Sequence, residues 1–162
     1  MNKILLPWSI LLAACISAFA ATHQVASADD LMELVEHPAC ASGDTIELLK
    51  DIDMAGKNFS PMCPDGFSGF FDGKGKTISN LHISADIKHT KNIAFIAILS
   101  TGGELKNLTF DHPRIDVIQS NNGQVSSVSV AVVVGVINGG TVDSKPTVKG
   151  NYYKNGEKVI IK

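Results

Sequence analysis

Residues Gly66 to Ile83 read G-F-S-G-F-F-D-G-K-G-K-T-I-S-N-L-H-I, and the fold is decided there. Asp72-Gly73-Lys74-Gly75 is a tight turn. After it, Ile78, Leu81 and Ile83 are separated by polar residues, the alternation of a strand with one buried face. The pattern then returns. Gly102 to Phe110 (G-G-E-L-K-N-L-T-F) repeats Gly75 to Ile83 (G-K-T-I-S-N-L-H-I), with Gly102 falling on Gly75. A weaker third copy starts at Gly139-Gly140-Thr141-Val142 and decays at Lys145-Pro146. Small and apolar residues that recur in register after a few tens of residues are the signature of a stacked repeat.

Aligned this way, the copies predict columns. Ile78, Leu105 and Val142 share one, Leu81 and Leu108 a second, Ile83 and Phe110 a third, and all are apolar. Parallel layers about 4.8 Å apart would stack such columns into one core. Gly75, Gly102 and Gly139 form the expected turn column, where a positive φ or a close approach leaves no room for a side chain. Asn80 and Asn107 form an expected polar ladder, with Ser144 in the third copy. An amide there can donate to one layer and accept from the other, at about 1 kcal/mol per bond.

The stretches Leu48-Leu49-Lys50-Asp51-Ile52-Asp53-Met54, Phe67 to Ile83, Asn92-Ile93-Ala94-Phe95-Ile96 and Gly103 to Phe110 resemble the GLUG repeats of large adhesin-like bacterial surface proteins. The resemblance covers Thr45 to Val148. It implies a right-handed parallel β-helix of the pectin-lyase-like architecture and a surface or secreted scaffold, often adhesive. It supplies no catalytic residues. Two departures stand out: Ala94 and Ala97 replace the usual glycines, and there is room for only three or four coils.

The first residues read as an export signal. Lys3 precedes an apolar run from Ile4 to Ile16, broken only by Pro7, Trp8 and Ser9, too short to span a bilayer comfortably. Three processing sites compete: after Ala20 in Ala18-Phe19-Ala20, after Ala28 in Ala26-Ser27-Ala28, or at Cys15 in the lipobox-like Leu12-Ala13-Ala14-Cys15. Residues 1–20 are therefore expected to leave as a signal peptide and 29–162 to form one domain, secreted or held at the cell envelope of a bacterium. Cys40 and Cys63 would then be left as an even pair in an oxidising compartment, which suggests a disulfide; the alternative is two buried thiols. No second apolar segment follows, so no transmembrane segment is expected in the mature chain. The formal net charge is -2 and no basic patch stands out, which argues against a nucleic-acid partner.

Along the chain, Asp29 to His37 predicts a short helix, with Leu31, Leu34 and Val35 at helical spacing and Pro38 as its stop. A helix ahead of a stacked sheet serves as an N-terminal cap. Thr45–Leu49 and Asp51–Met54 predict strands, Phe67, Phe70 and Phe71 bring the densest aromatic volume, and Ile93–Leu99 and Val125–Ile137 are apolar runs of strand character. Asn151 to Lys162 predicts a hairpin around Asn155-Gly156. The fold class expected is all-β: a short right-handed parallel β-helix with a helical cap.

No catalytic signature emerges. Asp51 and Asp53 share a strand face and could hold calcium, but turn-bonded carboxylates fit better. Asp72 reads as an Asx-turn. Asp86, Asp111 and Asp116, with Lys88, Lys91 and Arg114, contain the ingredients of a polysaccharide lyase or hydrolase, without a spacing that demands one. His82, His89 and His112 lack metal-ligand spacing, and the sequons at Asn58 and Asn107 read as incidental. The expected function is a non-enzymatic binding or adhesion module without a cofactor or metal. It would use the loops Ser84–Asn92 and Asp116–Gln124 to meet carbohydrate or another surface protein. The alternatives are a carbohydrate-active enzyme and a fragment completing a longer stack.

Overall fold

A computed structural model describes residues 20–36, 40, 43–118, 128–142, 146–149, 152–154 and 157–159. The leader with Cys15, the helix stop at Pro38, the loop tip at Asn121-Asn122-Gly123, the third-copy residues Ser144 and Lys145, and Asn155-Gly156 lie outside them.

Short strands make up about half of the described residues. They run β1 (Thr22–Val25), β2 (Thr45–Leu48), β3 (Ile52–Asp53), β4 (Phe70–Asp72), β5 (Thr77–Ser79), β6 (His82–Asp86), β7 (Asn92–Ile93), β8 (Ile96–Ser100) and β9 (Glu104–Lys106). There follow β10 (Thr109–Asp111), β11 (Arg114–Ile118), β12 (Ser129–Val130), β13 (Val134–Asn138), β14 (Thr141–Val142), β15 (Thr147–Lys149), β16 (Tyr152–Lys154) and β17 (Glu157–Val159). One helix, α1 (Ala28–Glu36), lies between β1 and β2.

Apart from the pair β16–β17, the strands within each sheet pair in parallel. One sheet has the order β1-β2-β4-β9-β14, a second β15-β10-β5-β3, a third β17-β16-β11-β6, and two pairs join β12 to β7 and β13 to β8. From β4 the chain passes through β5, β6, β7 and β8 to β9, which pairs with β4; from β9 it passes through β10, β11, β12 and β13 to β14, which pairs with β9. Each circuit meets the sheets in the same order. Phe59, Met62 and Phe67 bridge in parallel to Ile83, Ile96 and Leu99, so the segment between β3 and β4 follows the same route with less regular pairing.

Stacking happens in the register that the sequence copies predict only between the second and third copies, where Leu105 lies opposite Val142; the first copy does not join that column. Ile78 lies opposite Ile52 and Phe110, not Leu105. Leu105 lies opposite Phe71 and Val142, and Ile83 opposite Ile115 rather than Phe110. The reason is local. The copy at Gly75–Ile83 supplies β5 and enters β6, whereas that at Gly102–Phe110 supplies β9 and enters β10. The repeated phrase is a strand, a corner and another strand. It encodes how to turn from one sheet to the next, and the chain uses it at two different corners.

Asn80 and Asn107 are those corners. Both have φ 54, in the left-handed region that Asn tolerates better than other side-chain-bearing residues. Each is followed by a buried leucine, Leu81 or Leu108. Gly75, Gly102 and Gly139 also have positive φ, at 71, 85 and 85. Gly102 and Gly139 precede the paired strands β9 and β14 and share a corner. Gly75 sits elsewhere, its amide donating to the Asn107 carbonyl at 3.0 Å.

The core is one apolar cluster filled by the inward residues of every layer, including Ile46, Phe71 and Leu105, then Ile52, Ile78 and Phe110. Phe95 lies at its centre. Its ring stacks on Phe59 at 5.2 Å and meets Phe71 and Phe110 edge-on at 5.5 and 5.2 Å. Of the expected aromatic cluster, Phe67 and Phe71 are buried, but Phe70 turns outward under the Lys106 ammonium at 4.4 Å. Ala94, where the apolar run breaks between β7 and β8, and Ala97, within β8, are both buried.

The helix and the final antiparallel pair form where the sequence predicts them. Leu31 and Leu34 of α1 are buried in the core. Ser27 caps the helix: its hydroxyl accepts from the Asp30 amide at 3.1 Å, and the Asp30 carboxylate accepts from the Ala26 amide at 2.9 Å, a capping-box arrangement. At the other end β16 and β17 form an antiparallel hairpin with Lys154 opposite Glu157. The strand β1, within a segment the sequence leaves between two processing sites, was not foreseen. It pairs with β2 from Thr22↔Thr45 to Val25↔Leu48. Cys40 and Cys63 form the disulfide, with Cα atoms 5.5 Å apart.

Candidate functional site

The polar residues singled out in the sequence separate into corner bonds, one outward-facing ion cluster and one groove. The corner bonds are repeated. Asp53 accepts from the Ala55 amide at 3.0 Å and from the Asn80 side chain at 2.8 Å. Asp72 does the same with the Lys74 amide at 2.8 Å and the Asn107 side chain at 3.0 Å. A carboxylate thus closes its own Asx-turn and holds the asparagine that turns the corner in the next layer. Asn80 and Asn107 do not stack on one another; each is bound to an aspartate instead.

The Asp72 pair is the more buried, its side chain only 8% exposed. Burial opposes the charge, but the Lys74 amide, the Asn107 amide and the ammonium groups of Lys74 and Lys106 outweigh it, holding the carboxyl below its usual range. Lys74 bridges onward to Glu47 at 2.7 Å, which raises its own pKa. Gly73 leaves the space that brings this corner close: a β-carbon there would run into the Asn107 carbonyl. Asp51 accepts from the Thr77 amide at 2.8 Å. All three aspartates are therefore bonded within the frame, and among the described residues no group of His, Cys, Asp and Glu has the arrangement to hold a metal ion.

The ion cluster lies on the outward face of β6 and β11, where His82 faces Arg114, Ser84 faces Asp116 and Asp86 faces Ile118. Asp116 Oδ2 meets His82 Nε2 at 2.9 Å and accepts from Arg114 Nε at 2.8 Å. Burial again works against this carboxylate, and the bonds from His82 and Arg114 overcome it, so its pKa is lowered. Asp116 Oδ1 is buried without a hydrogen-bond partner among the described residues. The three candidate carboxylates, Asp86, Asp111 and Asp116, do not form one centre. Asp111 belongs to β10 and contacts His112 at 2.9 Å. Asp86 shares the face of Asp116, but its Oδ1 accepts from the Lys88 amide at 2.9 Å, and its carbonyl accepts from His89 and Thr90. Asp86 thereby shapes the loop after β6.

That loop forms one wall of a groove of about 560 Å³. Ser84, Asp86, His89, Thr90, Lys91 and Asn92 line it on one side, and Ser60, Pro61 and Pro64 on the other. The expected loop Ser84–Asn92 is therefore a wall of this groove. Its partner loop reaches the described residues only as far as Ile118. Sequence reading missed the opposite wall, because Ser60, Pro61 and Pro64 belong to an irregular stretch whose position follows from the Phe59 and Met62 bridges to β6 and β8. Among the described residues no helix is long and apolar enough to cross a membrane.

Comparison with known proteins places few limits on these surfaces. No family model matches the chain, and no solved structure matches it. The chain is 28% identical over 142 residues to Halomucin of Haloquadratum walsbyi, a match that covers 79% of this chain and 2% of that protein's length. What is established by the structure itself is an all-β chain of stacked parallel strands with one short helix and a disulfide, the last compatible with an extracellular setting.

Proposed function

We propose that the chain is an exported, non-enzymatic scaffold built as a short right-handed parallel β-helix of the GLUG-repeat type, with α1 as its N-terminal cap, and that it binds carbohydrate through the groove beside β6. The cyclic order of the sheets supports the helix, since parallel strands joined by crossovers turn right-handed in nearly all cases. The disulfide and the match within a far longer protein are compatible with a surface role. The groove presents hydroxyls, an amide, an imidazole, a carboxylate and an ammonium from Ser60, Ser84, Asn92, His89, Asp86 and Lys91. Such a mixture of donors and acceptors suits a ligand that is itself rich in hydroxyls.

The observation that carries the non-enzymatic reading is the engagement of every candidate carboxylate. Asp86 closes a turn, Asp111 contacts His112, and Asp116 is shared by His82 and Arg114. A general acid or base needs a carboxyl free to exchange a proton with substrate at a matched pKa. The lowered pKa of Asp116 moves it away from an acid's role. One feature favours the enzymatic alternative: Asp116 Oδ1 has no partner among the described residues, and Asp86 stands on the same face.

Binding of the purified chain to a panel of immobilised polysaccharides tests the proposal, with product release measured in the same wells. Retention weakened at least about tenfold by Lys91→Ala with Asn92→Ala, without new reducing or unsaturated ends, is expected; tenfold corresponds to about 1.4 kcal/mol. Release of uronic-acid products that disappears with Asp116→Ala would establish the enzyme instead. Retention only by another surface protein would transfer the role to protein adhesion.

A further inference from the structure

Just ahead of β2, Asp44 is buried, its side chain 11% exposed. Its Oδ1 accepts from the main-chain nitrogen of Ala21 at 2.8 Å, and its Oδ2 faces His23 Nε2 at 3.3 Å. The Ala21 carbonyl in turn accepts from the Thr45 amide at 2.8 Å. Ala21 is thus held at the head of the β1–β2 ladder, immediately before the Thr22↔Thr45 pair. A buried carboxylate is costly unless a cation or several donors answer it, and its bonds strengthen when the donor is charged.

The peptide bond before Ala21 is also the end of the small-x-small sequence Ala18-Phe19-Ala20. We infer that export processing cuts after Ala20, and that the α-ammonium so created on Ala21 pairs with the buried carboxylate of Asp44. In the cut, water adds across the Ala20–Ala21 bond: hydroxyl goes to the Ala20 carbonyl carbon and hydrogen to the Ala21 nitrogen. That amine takes up a proton, since a free α-amino group has a pKa of about 7.7–8.0. A neutral amide donor 2.8 Å from the carboxylate becomes an ammonium. Ala21 is exposed, so the N–H groups not aimed at Asp44 reach water.

The competing cut after Ala28 removes what the fold uses. It takes away β1 and with it Val25, buried in the core. It also strips α1 of the Ser27 cap and of the Ala26 amide that Asp30 holds. Maturation at Ala20 preserves these contacts and adds an ion pair to the first rung, so the exported form is held more firmly than the precursor. The inference rests on the export part of the proposed function.

The test is the full chain expressed in an exporting bacterium, followed by intact mass and N-terminal sequencing of the released protein. A chain beginning at Ala21 is expected. A start at Asp29 or an acylated Cys15 overturns the inference and leaves export standing; a retained leader overturns both. The ion pair is tested separately by comparing the chain that starts at Ala21 with one carrying a single added glycine in front, each with and without Asp44→Asn. The added glycine should lower Tm by about 5 °C when Asp44 is present and by no more than about 1 °C in the Asp44→Asn background. An equal Tm for the first pair, or an equal loss in both backgrounds, would refute it.

Discussion

Asn107 offers the sharpest perturbation of the corner device. Its side chain donates to Asp72, itself only 8% exposed, and its backbone holds φ 54. Asn107→Gly keeps the left-handed backbone and deletes the side-chain bond. Hydrogen bonds to charged groups contribute about 1.5–3 kcal/mol, and Asp72 retains the Lys74 amide, so a loss of about 2 kcal/mol is expected. Asn107→Ala deletes the same bond and adds roughly 1 kcal/mol for a β-carbon in the left-handed region, for about 3 kcal/mol in all. Urea unfolding should show the glycine variant with a midpoint about 1 M lower at neutral pH. The difference should also depend on pH. The folded Asp72 pKa is depressed, so its stabilisation is present above the unfolded carboxyl value near 3.9 and fades as pH falls through the folded value. The gap between wild type and Asn107→Gly should therefore narrow in that acid range. An unchanged midpoint at pH 7, or a deficit that stays constant into strong acid, would refute the pairing.

Two further perturbations follow. Phe95→Ala removes the ring that contacts Phe59, Phe71 and Phe110 and should cost about 3–5 kcal/mol in denaturant unfolding; a loss under about 1 kcal/mol would place the centre of the core elsewhere. Replacing Cys40 and Cys63 together by serine should cost about 3 kcal/mol, as expected for a closed loop of this length, and reduction of the wild type should lower Tm while leaving the double variant unmoved.

The sequence announced the elements more clearly than their arrangement. Alternation at Ile78, Leu81 and Ile83 marks a single half-buried strand, whereas the structure breaks it at Asn80 and Leu81 into β5 and β6. Register was hidden for a physical reason. Corners are local, and Gly-x-x-apolar-x-Asn-Leu is a recipe for one corner wherever it falls, so the similarity of Gly75–Ile83 and Gly102–Phe110 reported a shared bend and not a shared layer. Layer registration depends on loop lengths between corners, and those vary. The third layer's corner illustrates the point: His112 has φ 51 and its neighbour Pro113 is buried, taking the roles of Asn80 and Leu81 with unrelated residues. The groove was half legible, since the polar loop after β6 was conspicuous while its opposing wall carried no periodicity. Strand β1 was hidden because a segment beside a leader reads as processing sequence, and only its pairing with β2 gives it a structural role.

The register itself can be measured. Thr77 lies opposite Thr109 across β5 and β10, whereas the repeat alignment would put Glu104 in that place. A short bis-thiol crosslinker applied to Thr77→Cys with Thr109→Cys, and separately to Thr77→Cys with Glu104→Cys, distinguishes the two while the native disulfide remains oxidised. Efficient intramolecular linkage of the first pair and little of the second is the result this account predicts. Linkage of the Thr77–Glu104 pair alone would contradict it.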